Sequence, residues 1–333
     1  MERFVLQLWR MLLRATSTVA VLACIATACG GRTVVVAPRG PVSPSVLAEL
    51  RVDPGSEPRD LFWGVGGLRY APPPDATYVL KAKDETGFSV SFDVTSPDGL
   101  EWSVKIGPEA QTEVVLSRIL WGLGYHQPPN YYLPSWQLDA EGIGLKKESE
   151  ARFRPKLSRL TRLPEVWSWA DNPFSGTPDL KGLLVILLML NSTDLKDTNN
   201  SVYQLATPWD GASRWFVVRD LGAALGETGK SYPRRNWLEG FEKQSFITKV
   251  AGSTIEFDYN GRHQELLTMI QPADVQWAAL QMAGLTDAQW HDALRAGNYA
   301  APHAERYIRR IKEKIADGLA LRVDRREIDD EGR

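Results

Sequence analysis

The chain has 333 residues, of which 43% are hydrophobic and 24% charged, and its formal net charge at pH 7 is −2. This length and composition support a buried core and exclude a disordered or collagen-like chain. Without a large excess of Lys and Arg to neutralise phosphates, nucleic acid is not expected as the main partner. Both cysteines, Cys24 and Cys29, lie near the N-terminus, so the rest of the chain forms neither a disulfide nor a thiolate metal site.

The first residues have the pattern of an export signal. Residues 1–14 carry three arginines against one acid, and residues 15–28 are uncharged and too short to span a bilayer comfortably. The segment that follows, Ala26-Thr27-Ala28-Cys29-Gly30-Gly31, resembles the lipobox of bacterial lipoproteins, although Ala26 stands where Leu is usual. The resemblance implies a signal peptide over 1–28, a lipid on Cys29, and a location in the cell envelope outside the cytoplasm, held to a membrane by that lipid. A plain secretory signal or an uncleaved anchor is the alternative.

The segment after the signal predicts a tether followed by a small sheet. Residues 29–60 are rich in Gly, Pro and Ser, which favours a flexible tether. Alternating apolar residues and turn signals then predict an antiparallel meander of three strands, at Tyr78–Lys83, Phe88–Thr95 and Glu101–Ile106. Gly107 and Pro108 open a helix that ends at Gly124.

The second half of the chain predicts mainly helices. Residues 146–162 are basic and indicate an irregular segment. Thr177 caps an apolar helix at Leu180–Leu190, which is too short for a membrane span and therefore belongs in the core. A polar loop leads into two strands, at Val202–Leu205 and Trp215–Val218. The remainder is expected to be helical, at Pro272–Ala283, Thr286–Ala296 and Pro302–Leu321, before a charged tail over 322–333.

Residues suited to phosphate chemistry follow the apolar helix and the strand pair. Asp194, Lys196 and Asn199 lie in the segment D-L-K-D-T-N, and Asp220 opens the segment D-L-G. Phosphoryl transfer needs a carboxylate to orient the attacking hydroxyl, a cation near the phosphoryl group, and carboxylate and amide oxygens to hold Mg²⁺. These four side chains supply those groups in that order. Alternatively, Asp194 and Asn199 only cap their own turn.

An upstream lysine and two glutamates extend this set. Lys105 lies near the end of the third predicted strand, and Glu113 lies on the next helix at the border of its apolar face. A lone carboxylate is unfavourable there unless a cation meets it, so a pair of Lys105 and Glu113 is expected. Glu109 is a second candidate, but its position in the first helical turn is explained by the helix dipole.

Together these motifs resemble the protein kinase-like superfamily, in particular its divergent secreted Golgi-type, spore-coat and persistence-toxin branches. The resemblance runs from about Tyr78 to Gly222. It implies an α+β, bilobal fold with a small antiparallel β-sheet and one helix in an N-lobe over 61–135, and a mainly helical C-lobe over 136–321. It also implies Mg-ATP as cofactor, with these roles: Lys105 on the α/β-phosphates, Glu113 orienting Lys105, Asp194 and Lys196 at the transferred group, and Asn199 and Asp220 on Mg²⁺.

The chain departs from the family pattern at several positions. The first hairpin contains only Gly87, so the Gly-rich phosphate loop is missing, and Ser192-Thr193 stand where His-Arg is usual. No A-P-E segment follows Asp220. Two functions therefore remain open: a lipid-anchored phosphotransferase, and a catalytically inactive pseudokinase that binds an envelope protein or a glycan.

Other patterns indicate weaker alternatives. Residues 224–231 nearly match a P-loop, but Pro233 and the absence of an apolar helical period argue against it. The basic residues there, Lys230, Arg234 and Arg235, either meet an acidic substrate or phosphate or remain solvated. The four histidines lack zinc-site spacing. Among twelve tryptophans, the segment Trp167-Ser168-Trp169 is a candidate platform for sugar stacking, with core packing as the alternative.

Overall fold

The computed structural model describes residues 41–85, 89–140, 144–228 and 233–321. Within these ranges a sheet region with one helix precedes a mainly helical region, which confirms the expected α+β class. The predicted signal peptide, Cys29 and the charged tail over 322–333 lie outside the described residues. No helix within the described ranges is long and apolar enough to cross a membrane.

The sheet region contains seven strands. They are β1 (Thr77–Asp84), β2 (Ser91–Thr95), β3 (Glu101–Ile106), β4 (Tyr131–Leu133), β5 (Trp136–Ala140), β6 (Gly144–Glu148) and β7 (Ala151–Pro155). Their spatial order is β4-β7-β3-β2-β1-β5-β6. The antiparallel meander of β1, β2 and β3 is confirmed, and β1 also pairs with β5 in parallel.

The sheet continues further along the chain than the predicted N-lobe over 61–135. The segment expected to be irregular, 146–162, contributes most of β6, all of β7 and the short strand β8 (Leu160–Arg162). Its strand period is hidden in the sequence because Arg152 and Arg154 are buried beside Phe153, although charged residues at alternate positions usually mark a solvent face.

Side chains alternate across the sheet and give it two different faces. The apolar members of β2, β3 and β7 pack into one core: Phe92, Val94, Trp102, Val104 and Phe153. The intervening positions on the same strands are polar and share the opposite face: Ser91, Asp93, Ser103, Lys105, Arg152 and Arg154. This alternation places Lys105 on the polar face of β2, β3 and β7.

Seven α-helices and three 3₁₀-helices are present in the described ranges. The α-helices are α1 (Pro44–Leu47), α2 (Glu109–Gly122), α3 (Pro178–Met189), α4 (Leu238–Lys243), α5 (Pro272–Ala283), α6 (Asp287–Ala296) and α7 (Ala301–Leu319). The 3₁₀-helices cover Leu68–Tyr70, Asp197–Asn199 and Gln264–Met269. The three long C-terminal helices thus agree with the predicted ones to within two residues at each end.

The apolar helix α3 lies in the main core, as predicted. The Thr177 hydroxyl accepts a hydrogen bond from the Leu180 amide, and Pro178 occupies the first turn, so the start of the helix is capped. The core around α3 combines residues of α2, α5 and α7. Gly182 permits close approach to α5, because an added Cβ there would lie 2.1 Å from the Trp277 ring.

Two smaller β elements complete the fold. Strands β9 (Asn200–Trp209) and β10 (Ala212–Val218) form an antiparallel pair, as predicted, and β8 pairs with β9. A hairpin of β11 (Ile247–Ala251) and β12 (Thr254–Phe257) lies in a part of the chain that we expected to be helical. The hairpin escapes sequence analysis because Ile255 is its only buried residue, which leaves no apolar alternation.

Residues 43–60, which we call the strap, pack on the folded domain, whereas the sequence predicted a flexible tether. Leu50 is buried, and the Val52 amide donates to the Gly124 carbonyl. The Arg51 guanidinium donates to the Leu123 carbonyl, the Asp179 carboxylate and the Gln281 side chain. Composition alone misses these contacts because they depend on a few side chains among many Pro and Gly residues.

Candidate functional site

The residues predicted for phosphate chemistry surround one cavity. Its volume is about 330 Å³, and it is lined by Ser89, Ser91, Lys105, Glu109, Asp194, Lys196, Asn199, Asp220 and Arg235. Of the residues assigned to this chemistry from the sequence, Glu113 alone is outside the lining; it lies behind Lys105. The sheet face, the first turn of α2, the D-L-K-D-T-N segment and the D-L-G turn therefore meet.

Lys105 is the centre of the ionic contacts. Its Nζ lies 2.7 Å from Oε2 of Glu109, 3.6 Å from Oε2 of Glu113 and 3.6 Å from Oδ1 of Asp220. Burial alone would lower the pKa of Lys105, but the carboxylates of Glu113, Glu109 and Asp220 raise it above its usual value. The ammonium group is therefore fully charged at neutral pH and is held at the edge of the cavity.

Glu113 is buried and belongs to a cluster that the sequence did not reveal. Its Oε1 lies 2.8 Å from Nη2 of Arg154 and 3.0 Å from Nε of Arg152. Burial would raise the pKa of Glu113, but Arg152, Lys105 and Arg154 hold it well below its usual value. Only the pairing of β3 with β7, which sets Lys105 opposite Arg152, brings the two arginines to Glu113.

Glu109, the second candidate for the pair with Lys105, is its closer partner, although the sequence favoured Glu113. The Ser89 hydroxyl donates to Oε2 of Glu109 at 3.1 Å, and the Arg235 guanidinium donates to Oε1. The turn at Gly222 closes against the same residue, because a Cβ on Gly222 would lie 2.3 Å from the Glu109 Cβ. Glu109 thus links the sheet region to the D-L-G turn, in addition to its favourable position at the start of α2.

The D-L-K-D-T-N segment is held by its own hydrogen bonds. The Asn199 side-chain amide donates to the Asp194 carbonyl at 2.9 Å. The Asp194 carboxylate lies 2.9 Å from Nζ of Lys196 and 3.4 Å from Nε of Arg262. Arg262 was not identified from the sequence; its backbone amide donates to the Thr193 carbonyl at 3.2 Å, which fixes the arginine beside Asp194.

Asp220 lies at a backbone turn that directs its carboxylate to the cavity. Its φ of 52° is in the left-handed region, which Asp adopts more readily than most residues. The adjacent Leu221 is buried in the main core, and the Arg219 amide donates to the Asn199 carbonyl at 2.9 Å. The two residues expected to hold Mg²⁺, Asn199 and Asp220, are therefore joined through the backbone.

The donor set fits a hydrated Mg²⁺ ion that also binds phosphates. Asp220 offers a carboxylate, and Asn199 uses its amide nitrogen internally, which leaves its amide oxygen as the ligand atom. Within the described ranges, no cluster of three or more His, Cys, Asp and Glu side chains suits a metal ion. Mg²⁺ characteristically takes one or two protein ligands and completes its shell with water and substrate phosphates.

The structure also bears on the two weaker alternatives from the sequence, the tryptophan pair and the basic segment near residue 230. Trp167 and Trp169 are 4% and 2% exposed, so they are core residues and do not form the sugar-stacking platform considered above. The Arg234 guanidinium stacks 4.2 Å from the centroid of the Trp237 ring, while Arg235 meets Glu109 at the cavity. Lys230 and Ser231 of the near-P-loop lie outside the described residues.

Comparisons with known proteins give two similar solved structures. No protein-family model matches the chain, and no curated protein matches it. The crystal structure of a Helicobacter pylori proinflammatory kinase, CtkA, has a TM-score of 0.43 and 11% identity, covering 74% of this chain and 98% of the other. The crystal structure of the Golgi casein kinase has a TM-score of 0.38 and 11% identity, covering 74% of each chain.

Proposed function

We propose that the protein is a phosphotransferase of the protein kinase-like type, which moves a phosphoryl group from a Mg-nucleotide to an acceptor hydroxyl. One observation carries this proposal. Lys105, Asp194, Asn199 and Asp220 come from separate elements and line one cavity, with Lys105 and Asp220 in ionic contact at 3.6 Å. If these motifs had matched the pattern by chance, their side chains would not be expected to lie around the same cavity.

Each of these side chains has a distinct task in the proposed reaction. Lys105 binds phosphate oxygens of the donor, and Glu109 and Glu113 hold its ammonium group in place. Asp220 and Asn199 hold Mg²⁺, which neutralises charge on the phosphates when it is bound. The protein thus contributes positioning and electrostatic stabilisation, which are the main requirements of phosphoryl transfer.

Asp194 is the group that orients the acceptor. Its carboxylate accepts a hydrogen bond from the acceptor hydroxyl, and Lys196 lies beside it as the cation nearest the transferred group. In the transfer, the bond between the terminal phosphorus and the bridging oxygen of the donor breaks. A new bond forms from that phosphorus to the acceptor oxygen, and the hydroxyl proton passes to Asp194 or to water.

We further propose that a lipid on Cys29 anchors the protein in the bacterial cell envelope, outside the cytoplasm. This part rests on the sequence of residues 1–31 alone. Mass spectrometry of the N-terminal peptide tests it, because a lipid-modified Cys29 adds the mass of its acyl groups. ATP is scarce in that location, so the identity of the donor needs a direct test.

Calorimetric titration with Mg²⁺ and a non-hydrolysable ATP analogue tests the site. Binding by the wild-type protein should weaken at least tenfold in Asp220→Ala and stay unchanged in Asp292→Ala, a control carboxylate that pairs with Arg295 on α6. Equal binding by Asp220→Ala and wild type contradicts the site assignment. If Mg-nucleotide does not raise the Tm of the wild-type protein, the result favours the alternative, which is an inactive pseudokinase that binds an envelope protein or glycan.

A further inference from the structure

Within the described ranges, the cavity lacks the apolar lining that most small-molecule sites have. All nine of its lining residues in the described ranges are polar or charged. Binding sites for small organic molecules are usually lined mainly by apolar and aromatic side chains, with a few polar groups for orientation. A nucleobase gains much of its affinity from stacking on such surfaces. This lining offers contacts for phosphates and a metal ion but none for a flat ring.

The sheet explains this absence. Two cross-strand rows run over the polar face of β2, β3 and β7, Ser91 with Lys105 and Arg152, and Asp93 with Ser103 and Arg154. The first row continues to Tyr132 of β4, which is not among the residues that line the cavity. The apolar residues of the same strands all point into the separate core on the other side. Because side chains alternate strictly along a strand, β2, β3 and β7 have no apolar side chain to present to a ligand beside Lys105.

A layer of guanidinium groups behind Lys105 adds positive charge. Among the lining residues, the cations Lys105, Lys196 and Arg235 balance the carboxylates of Glu109, Asp194 and Asp220. Behind them, three arginines surround the buried carboxylate of Glu113: they are Arg152, Arg154 and Arg219. Arg152 and Arg219 also interact with Asp220, which is already counted in the lining. These six cations outnumber the four carboxylates by two even before a metal ion binds, and Arg262 beside Asp194 adds a further positive charge.

Part of this guanidinium layer has no hydrogen-bond acceptor in the part of the chain that the structure describes. Nε and Nη1 of Arg154 and Nε of Arg219 are buried and find no partner among the described residues. Burial lowers the pKa of Arg152, opposed by Glu113, but only to about 10, so this arginine is still charged at neutral pH. Arg154 keeps its ion pair with Glu113, but buried N–H donors without acceptors are costly, and an anionic ligand in the adjoining cavity would offset that cost.

We propose that this cavity recognises an oligophosphate chain itself, and that inorganic tripolyphosphate with Mg²⁺ binds as tightly as a nucleoside triphosphate. The inference rests on the proposed function, since it names the ligand class of the same site. When the oligophosphate acts as the donor, it loses its terminal phosphoryl group to the acceptor oxygen. The terminal P–O–P bond breaks, and the shortened oligophosphate leaves with the electron pair of that bond. The base, when one is present, extends away from the polar sheet face.

Calorimetric titrations of the full chain with Mg²⁺ and four ligands test this inference: tripolyphosphate, ATP, GTP and CTP. The expected dissociation constants agree within about threefold. An ATP affinity at least tenfold higher than that of tripolyphosphate, or of the other nucleotides, overturns the inference and leaves the proposed function standing. If none of the four ligands binds, both the inference and the proposed function fail.

A variant pair tests the guanidinium layer. Arg154→Gln keeps a polar side chain and removes the charge, so we expect affinity for Mg-tripolyphosphate to fall at least fivefold. Arg309→Gln removes an exposed guanidinium that pairs with Glu242, and should leave the affinity unchanged. An Arg154→Gln protein that folds and binds like wild type contradicts the role of this layer. If the variant does not fold, the ligand series on the wild-type protein decides.

Discussion

Nζ of Lys105 lies 3.6 Å from Oδ1 of Asp220, which joins strand β3 to the turn that follows β10. Lys105 is only 13% exposed at its side chain, whereas Asp220 is 44% exposed. The lysine is therefore fixed by its surroundings, and the aspartate can exchange this contact for a ligand or a metal ion. This asymmetry suits a site in which the cation is preformed and the carboxylate responds to what binds.

Replacement of Glu113 by Gln should destabilise the protein strongly. The change leaves Lys105, Arg152 and Arg154 without their shared buried carboxylate, which costs about 3–5 kcal/mol in the free energy of unfolding. Urea denaturation followed by tryptophan fluorescence measures this loss. Glu109→Gln is the comparison, because Glu109 lies at the cavity edge and Glu113 remains as a partner for Lys105. Equal losses in the two variants would contradict the central position of Glu113.

The stability difference between wild type and Glu113→Gln should depend on pH in the acid range. The folded state holds the pKa of Glu113 well below its usual value of 4.5, so its contribution to stability is complete above that pH. It is lost progressively as the pH falls from 4.5 toward the lower pKa of the folded state. The gap in stability between wild type and Glu113→Gln should therefore narrow below pH 4.5 and stay constant above it.

His126 should make the protein less stable as the pH falls from 6.5 to 4. The imidazole is buried against Trp215, with ring centroids 4.9 Å apart, and its Nε2 donates to the Ala48 carbonyl. Burial lowers its pKa from 6.5 to about 4, so only the unfolded chain takes up the proton in this window. The loss amounts to about 3 kcal/mol over the whole window.

A Gln at position 126 provides the test, because it keeps a donor for Ala48 but does not titrate. Urea denaturation between pH 4 and pH 7.5 should give His126→Gln a flatter profile than wild type. Both proteins should then respond alike above pH 6.5, where His126 is neutral in the folded and unfolded states. Parallel profiles below pH 6.5 would rule out His126 as the source of this slope.

Arg51→Ala should release the strap from the domain. The substitution removes three donated hydrogen bonds and leaves the Asp179 carboxylate without its guanidinium, at a cost of about 2–4 kcal/mol. Limited proteolysis should then cleave within residues 43–60 faster than in wild type. Arg69→Ala is the matched control, since Arg69 is exposed and contacts only the Tyr70 ring among the interactions described. A protected strap in Arg51→Ala would contradict its anchoring role.

Gly222→Ala should disturb the site more than the fold. The added Cβ lies 2.3 Å from the Glu109 Cβ, so the D-L-G turn or the first turn of α2 has to shift, at about 1–3 kcal/mol. Because Glu109 contacts Lys105, we expect weaker binding of Mg-nucleotide in calorimetry. Gly284→Ala is the control, because the nearest atom to its added Cβ is the Gln281 carbonyl oxygen at 3.2 Å and Gly284 does not line the cavity. Wild-type affinity in Gly222→Ala would show that the close contact has no influence on the site.

Local patterns along the chain determined most of the regular elements. The alternation in β1–β3, the cap at Thr177 and the apolar period of α5–α7 act over a few residues, so they can be identified without knowing what packs on them. The order of Lys105, Asp194, Asn199 and Asp220 is likewise written in the sequence, and it predicted that these residues act together.

Only the tertiary structure decided which partners these residues meet. The pairing of β3 with β7 brings Arg152 and Arg154 to Glu113, and the turn at Gly222 sets Glu109 against Lys105. The burial of Trp169 and the packing of Arg51 depend in the same way on distant segments. A sequence pattern reports which face of an element is apolar, but the segment that covers this face is chosen by the packing of the whole chain. For the same reason, the polar sheet face became a candidate phosphate site only once its strands were paired.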